Sequence, residues 1–152
     1  YDRATAEQRF AQGLRARVEQ LRKAGYRVWL MKEAPLQPFS PPYRLSRMAM
    51  LGQPTDHVGM PLADHLKQKA FINTLFDQFA AADPGVKVLD PTPQLCDTSG
   101  FCRAEKNGNS LYADDNHLSE VGAELIIPVL QPLFEGLPAK GSSGLDNANT
   151  AR

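Results

Sequence analysis

The chain has 152 residues, 42% hydrophobic and 22% charged, the proportions of one ordinary globular domain. Lys plus Arg and Asp plus Glu both total 17, so no basic excess draws the chain to a polyanion and nucleic acid is not an expected partner. No apolar run approaches the ~20 residues that span a bilayer, and Tyr1-Asp2-Arg3 does not open a signal peptide.

The absence of an initiating methionine directly ahead of a helical pattern reads as a cut inside a longer polypeptide, with any targeting or membrane segment upstream. Thr5-Ala6-Glu7-Gln8 has the form of a capping box, and Phe10, Leu14, Val18 and Leu21 follow at helical spacing. Arg9, Arg15, Arg17, Arg22 and Lys23 alternate with Glu7, Glu19 and uncharged residues, as on a solvated helix face. Gly25 ends the helix, and residues 26–31, Tyr-Arg-Val-Trp-Leu-Met, are short and β-prone, a buried strand with Tyr26 and Trp29 in the core.

Prolines dominate residues 35–42, and residues 43–60 carry no regular period, so both read as one long connection. A second helix is expected from Pro61, suited to a first helical position, to about Ala82, with Phe71, Ile72, Leu75, Phe76 and Phe79 as its apolar face. Asp83-Pro84-Gly85 stops it, and Val86 to Leu89 forms a second short strand. A final helix begins near Ser119, with Val121, Leu125, Ile126, Val129, Leu130, Leu133 and Phe134 as apolar positions and Pro128 and Pro132 loosening it. From Lys140 onward the composition is that of a disordered tail. The order helix, strand, helix, strand is the signature of a parallel α/β unit, and two strands are too few for a complete sheet. The expected fold is therefore an α/β, three-layer sandwich with a parallel sheet, of which only the later strands and helices are present.

Chemistry concentrates in Leu111-Tyr112-Ala113-Asp114-Asp115-Asn116-His117-Leu118-Ser119, leading into Gly122-Ala123. A carboxylate three residues before a histidine, on a loop entering a helix, can accept the Nδ1 proton and leave Nε2 free for proton transfer. This context resembles the last motif block of the SGNH hydrolase superfamily. The match is closer to the SGNH domains fused to membrane acyltransferases of the acyltransferase-3 type: Leu95-Cys96-Asp97, Cys102, Leu111-Tyr112, Asp114-Asp115-Asn116-His117-Leu118-Ser119 and Gly122-Ala123 stand in the same order. The likeness extends more weakly to the first helix, the first strand and Ala34-Pro35. It implies that residues 1–137 are the C-terminal part of an SGNH-type domain, with 138–152 the tail.

The resemblance further implies Asp114 and His117 as catalytic residues, paired with a serine of a Gly-Asp-Ser motif. The oxyanion hole would come from that serine's amide, a Gly and an Asn. Neither Gly-Asp-Ser nor a Gly-x-Ser-x-Gly elbow occurs in these residues, so the chain taken alone is expected to be inactive. Ser99 and Ser110 lie near His117 in sequence but suit turns, and Ser119 suits a helix cap. The spacing of Cys96 and Cys102 suits neither a zinc site nor a C-x-x-C redox pair. A structural disulfide around residues 97–101 and two reduced cysteines remain, and the periplasmic location that the resemblance implies favours the disulfide. Asp115 and Asn116 beside Asp114 and His117 suggest loop hydrogen bonding rather than a metal site, and no cofactor is called for. His57 and His65 read as surface or loop histidines.

The function implied is O-acyl transfer, of an acetyl group by preference, to a cell-envelope glycan. An upstream membrane acyltransferase domain is the partner, a glycan the acceptor, and the periplasmic side of a bacterial inner membrane the location. An esterase or deacetylase of the same fold, and a non-catalytic domain that binds glycans or proteins, are the alternatives.

Overall fold

The computed structural model describes residues 2–135; the tail expected over 138–152 lies outside them. The first helix, α1 (Arg3–Lys23), is capped by Asp2, whose carboxylate accepts from the amides of Ala4 at 3.2 Å and Thr5 at 3.1 Å. This corrects the expected Thr5–Gln8 box. An aspartate three residues earlier reaches two free amides at once, and Thr5 donates its hydroxyl to that same carboxylate. At the other end Gly25 sits at φ 87°, a left-handed conformation open to glycine, and Tyr26 donates its amide to the Leu21 carbonyl.

Strand β1 (Val28–Met31) pairs in parallel with a strand much later in the chain, Val86–Leu89, Val28 opposite Val86 and Leu30 opposite Val88. Because strand residues alternate in direction, Val28, Leu30, Val86 and Val88 share one face. Val18 and Leu21 of α1 pack there together with Leu75 and Phe79 of a later helix, each fully buried side chain contributing about 1.5–3 kcal/mol. The strand starts two residues later than expected, and the aromatic residues are not core: Tyr26 is 62% exposed, and Trp29 is half-buried on the opposite face beside the exposed Met31. Strand propensity is a side-chain preference that does not say which face is covered.

The proline-rich connection is not irregular. Residues Pro41–Met50 form α2, with Pro41 and Pro42 in its first turn, where a missing amide costs nothing. Pro41, Leu45 and Met48 turn inward at spacings of four and three. After β2 (Gly59–Pro61), the helix expected as one piece is two: α3 (Leu62–Gln68), for which Pro61 is the residue before the first turn rather than in it, and α4 (Ala70–Ala82), with the break at Lys69. Asp83 then ties the end of α4 to the end of α1, its carboxylate meeting Arg22 Nε at 2.8 Å and Nη2 at 3.2 Å.

Beyond β3 (Val86–Leu89) come α5 (Thr92–Leu95), β4 (Phe101–Arg103) and the small hairpin β5 (Glu105–Lys106) and β6 (Asn109–Ser110). Strand β4 pairs antiparallel with β2, and the hairpin turns on Asn107 and Gly108, both at positive φ. The chain then enters α6 (Glu120–Leu130), capped by Ser119 through Gly122 N at 3.2 Å, and a 3₁₀ turn, Gln131–Leu133. Cys96 and Cys102 form a disulfide that closes the α5–β4 connection. Reducing it should lower stability by roughly 2 kcal/mol, the loop-entropy value for so short a loop. Urea unfolding with and without reductant checks this, and an unchanged midpoint would contradict it.

Two packed clusters result. One joins α1 and α4 to the parallel strand pair; the other gathers Leu45, Val58, Ala104, Leu111 and Tyr112, with Phe39, Met48, Leu118, Val121 and Leu125 around them. A parallel strand pair flanked by helices is the later part of the α/β sandwich expected from the sequence.

Candidate functional site

The loop holding Asp114 and His117 hangs from the second cluster. At its base Tyr112 and Leu118 face each other as an antiparallel bridge, Ala113 donates its amide to the His117 carbonyl at 2.8 Å, and Ser119 donates to Leu111 at 3.0 Å. Tyr112 and Leu111 are fully buried beneath it. The Ser119 hydroxyl donates to the Ser110 carbonyl at 2.7 Å while accepting from Gly122, so one side chain stitches the loop's entry strand to the helix that follows. Helix α6 approaches so closely that a Cβ on Gly122 would lie 2.0 Å from the Leu111 carbonyl oxygen.

Within the loop Asp114 Oδ1 accepts the backbone amides of Asn116 at 2.9 Å and His117 at 2.7 Å, the hydrogen-bonded turn that short polar side chains form with the residues just after them. That turn points Oδ2 at His117 Nδ1, 2.7 Å away. The two backbone amides, then the contact with His117, hold the Asp114 carboxyl down to about 2, and Asp114 in turn raises His117 above its ordinary 6.5, with a smaller push from Asp115. The carboxylate therefore stays ionised across the physiological range and fixes the proton on Nδ1. Nε2 is left as the atom that takes up or gives a proton, on a ring whose side chain is 75% exposed.

Gln37, from the connection after β1, holds the crown of the loop by donating its amide to the Asp115 carbonyl at 2.8 Å. Its side chain is 2% exposed and, like the Tyr112 hydroxyl beside it, finds no hydrogen-bond partner among the described residues. Burial raises the Tyr112 phenol. Sequence reasoning passed over Gln37, since one amide side chain in a proline-rich stretch gives no signal.

The serines near the pair are spent on local structure. Ser110 donates to the Tyr112 carbonyl at 2.7 Å, and Ser99 donates to Asp97. The Asp97 carboxyl, held by Ser99 and then Arg103, lies at about 2. None of these hydroxyls meets His117. Expected as a surface or loop residue, His65 is instead 1% exposed on α3, with Nε2 3.5 Å from the Thr92 hydroxyl and Nδ1 unpartnered. Burial and then Lys69 push it below 6.5 against Asp90 and Glu33. It lies on the side of α3 turned to Thr92. His57 is exposed, beside Asp56.

These features define a class: an α/β domain whose last helix is entered through an Asp-x-x-His loop, with the histidine's outer nitrogen open. A family model described as "SGNH domain (fused to AT3 domains)" matches residues 1–132. The chain belongs to this SGNH family, which sets it among domains of acyl-transfer or esterase type fused to acyltransferase-3 domains. No curated protein and no solved structure matches it. Among the described residues no helix is long and apolar enough to cross a membrane.

Proposed function

We propose that this chain supplies the Asp–His half of an O-acyltransferase acting on a cell-envelope glycan on the periplasmic side of the membrane. In this reading the fused acyltransferase-3 domain delivers an acetyl group to a serine outside these 152 residues. His117 takes the serine proton at Nε2 as the hydroxyl attacks the acyl carbonyl, and Asp114 balances the imidazolium that forms. His117 returns that proton to the departing group. It then removes the proton of a sugar hydroxyl as that oxygen attacks the acyl-enzyme, so the ester moves to the glycan and the serine is restored. The observation that carries the reading is the 2.7 Å contact of Asp114 Oδ2 with His117 Nδ1 on a ring otherwise open to solvent.

Acid-quenching the complete protein during turnover and mapping acetylated peptides by mass spectrometry tests the proposal. A serine ester that forms, and discharges when glycan is added, is the expected result. Discharge at the same rate with water alone would make the enzyme an esterase, and no acylated serine at all would leave the domain without this chemistry.

A further inference from the structure

Along α2, on the cluster from which the site loop hangs, helix residues and those flanking them wall a cavity of about 460 Å³, lined by Phe39, Tyr43, Arg44, Arg47, Leu51 and Gln53 among others. Three features set it apart. The first is a pair of cations on one cavity wall: among the described residues neither Arg44 nor Arg47 forms a salt bridge, as is also true of Arg9, Arg15, Arg17 and Arg27, but these two stand one helical turn apart and line the same cavity. The second is preorganisation. The Arg44 guanidinium lies over the Phe39 ring, 4.5 Å from its centre, a cation–π contact that holds the group on the cavity wall without using its N–H donors. The third is an exposed aromatic platform: Tyr43 is 70% exposed, and Leu51 beside it 62%.

The cavity is also joined to the reaction loop. Phe39 and Met48, which wall it, pack on the same buried cluster as Leu118, the residue after His117. Two residues before Phe39, the Gln37 amide holds Asp115.

Resting on the acyl-transfer reading above, we infer that this cavity is the acceptor subsite and that it selects a carboxylate-bearing sugar. Arg44 and Arg47 take the carboxylate, and Tyr43 stacks on the apolar face of a pyranose ring. The combination of a guanidinium fork with an aromatic face is the chemistry of an acidic glycan; a neutral glycan has no use for two unpaired guanidinium groups. Binding should weaken with salt, because the arginines are exposed.

The test uses the full-length protein that carries this chain, in detergent, with trigalacturonate as probe and maltotriose as its neutral counterpart, binding being read by calorimetry. Trigalacturonate should bind and maltotriose should not. Arg44→Gln or Arg47→Gln should each weaken trigalacturonate about tenfold, the loss expected for one charge-assisted hydrogen bond, and Tyr43→Ala should weaken it too. His117→Ala should bind as the wild type does while losing transfer, and a wild-type protein that binds trigalacturonate but transfers nothing overturns the acyl-transfer reading and leaves the subsite standing. Equal binding of the two sugars, or arginine variants that bind unchanged, overturns the subsite. It is equally overturned if the arginine variants lose affinity only for vesicles containing phosphatidylglycerol, which would make α2 a membrane-surface helix.

Discussion

Gly122→Ala should lower the stability of the protein by about 3 kcal/mol, the upper range for forcing an extra carbon into packed surroundings. The added Cβ would stand 2.0 Å from the Leu111 oxygen, 2.9 Å from its carbonyl carbon and 3.2 Å from Leu118 Cδ2. A flexible side chain would swing away, but the Leu111 backbone is held on both sides. Its amide donates to Ala104 at 2.9 Å and its oxygen accepts from Ser119 at 3.0 Å. Helix α6 must therefore lift, and the bond from Ser119, which anchors the exit of the Asp114–His117 loop, is the first to go. Gly13→Ala is the internal control. A Cβ there meets nothing within 4 Å on the exposed side of α1, so the same chemical change should stabilise by up to about 1 kcal/mol through helix propensity. Urea unfolding of the two variants should give shifts of opposite sign. A Gly122→Ala midpoint equal to the wild type would mean that helix α6 is not held against the Leu111 backbone.

The reach of the sequence follows from how local each signal is. Of the expected α1 stripe, Leu14, Val18 and Leu21 pack on the core while Phe10 is 51% exposed at its outer end; these three, the strand at Val86 and the Ser119 cap are decided by neighbours within a turn or two. The Asp114–His117 contact was legible for the same reason, since a three-residue turn closes it. Helix α2 was hidden because proline clusters signal loops unless they fall in a first turn, and only the inward packing of Leu45 and Met48 stabilises that turn as a helix. The break at Lys69 has no breaker residue; α3 and α4 pack on different neighbours, and tertiary contact outweighs a continuous apolar pattern. Tyr26 and Trp29 were misread because a β-prone segment does not say which of its faces is covered. The burial of His65, and the way Gln37 holds Asp115, depend on segments tens of residues apart, which no local pattern encodes.

Asp114→Asn should separate the two tasks that the reading assigns to this carboxylate. In the complete enzyme the amide still offers an oxygen to the backbone amides of Asn116 and His117, so the loop turn survives and stability changes little, both side chains being largely exposed. The charge facing Nδ1 is gone, and the imidazole no longer has its tautomer fixed or its cation balanced. Turnover should fall by about 10⁴-fold, the loss that this change produces in serine-type triads, while His117→Ala should fall at least as far.

The pH profile gives the sharper readout. A general base works in its neutral form, so the wild-type rate climbs as pH rises through the raised His117 value. Without Asp114 that limb should move down toward 6.5, the ordinary value. The sign of the stability linkage follows from the same pair. A raised histidine stabilises the fold below its unfolded value, and that contribution is lost as pH rises through the folded one. The lowered Asp114 stabilises above 3.8 and loses that contribution as pH falls toward about 2. The pair contributes most between these two titrations, and in Asp114→Asn both dependences should flatten together. An unmoved acidic limb in that variant, with turnover kept, would show that His117 draws its basicity from elsewhere and that the 2.7 Å contact shapes the loop without serving catalysis.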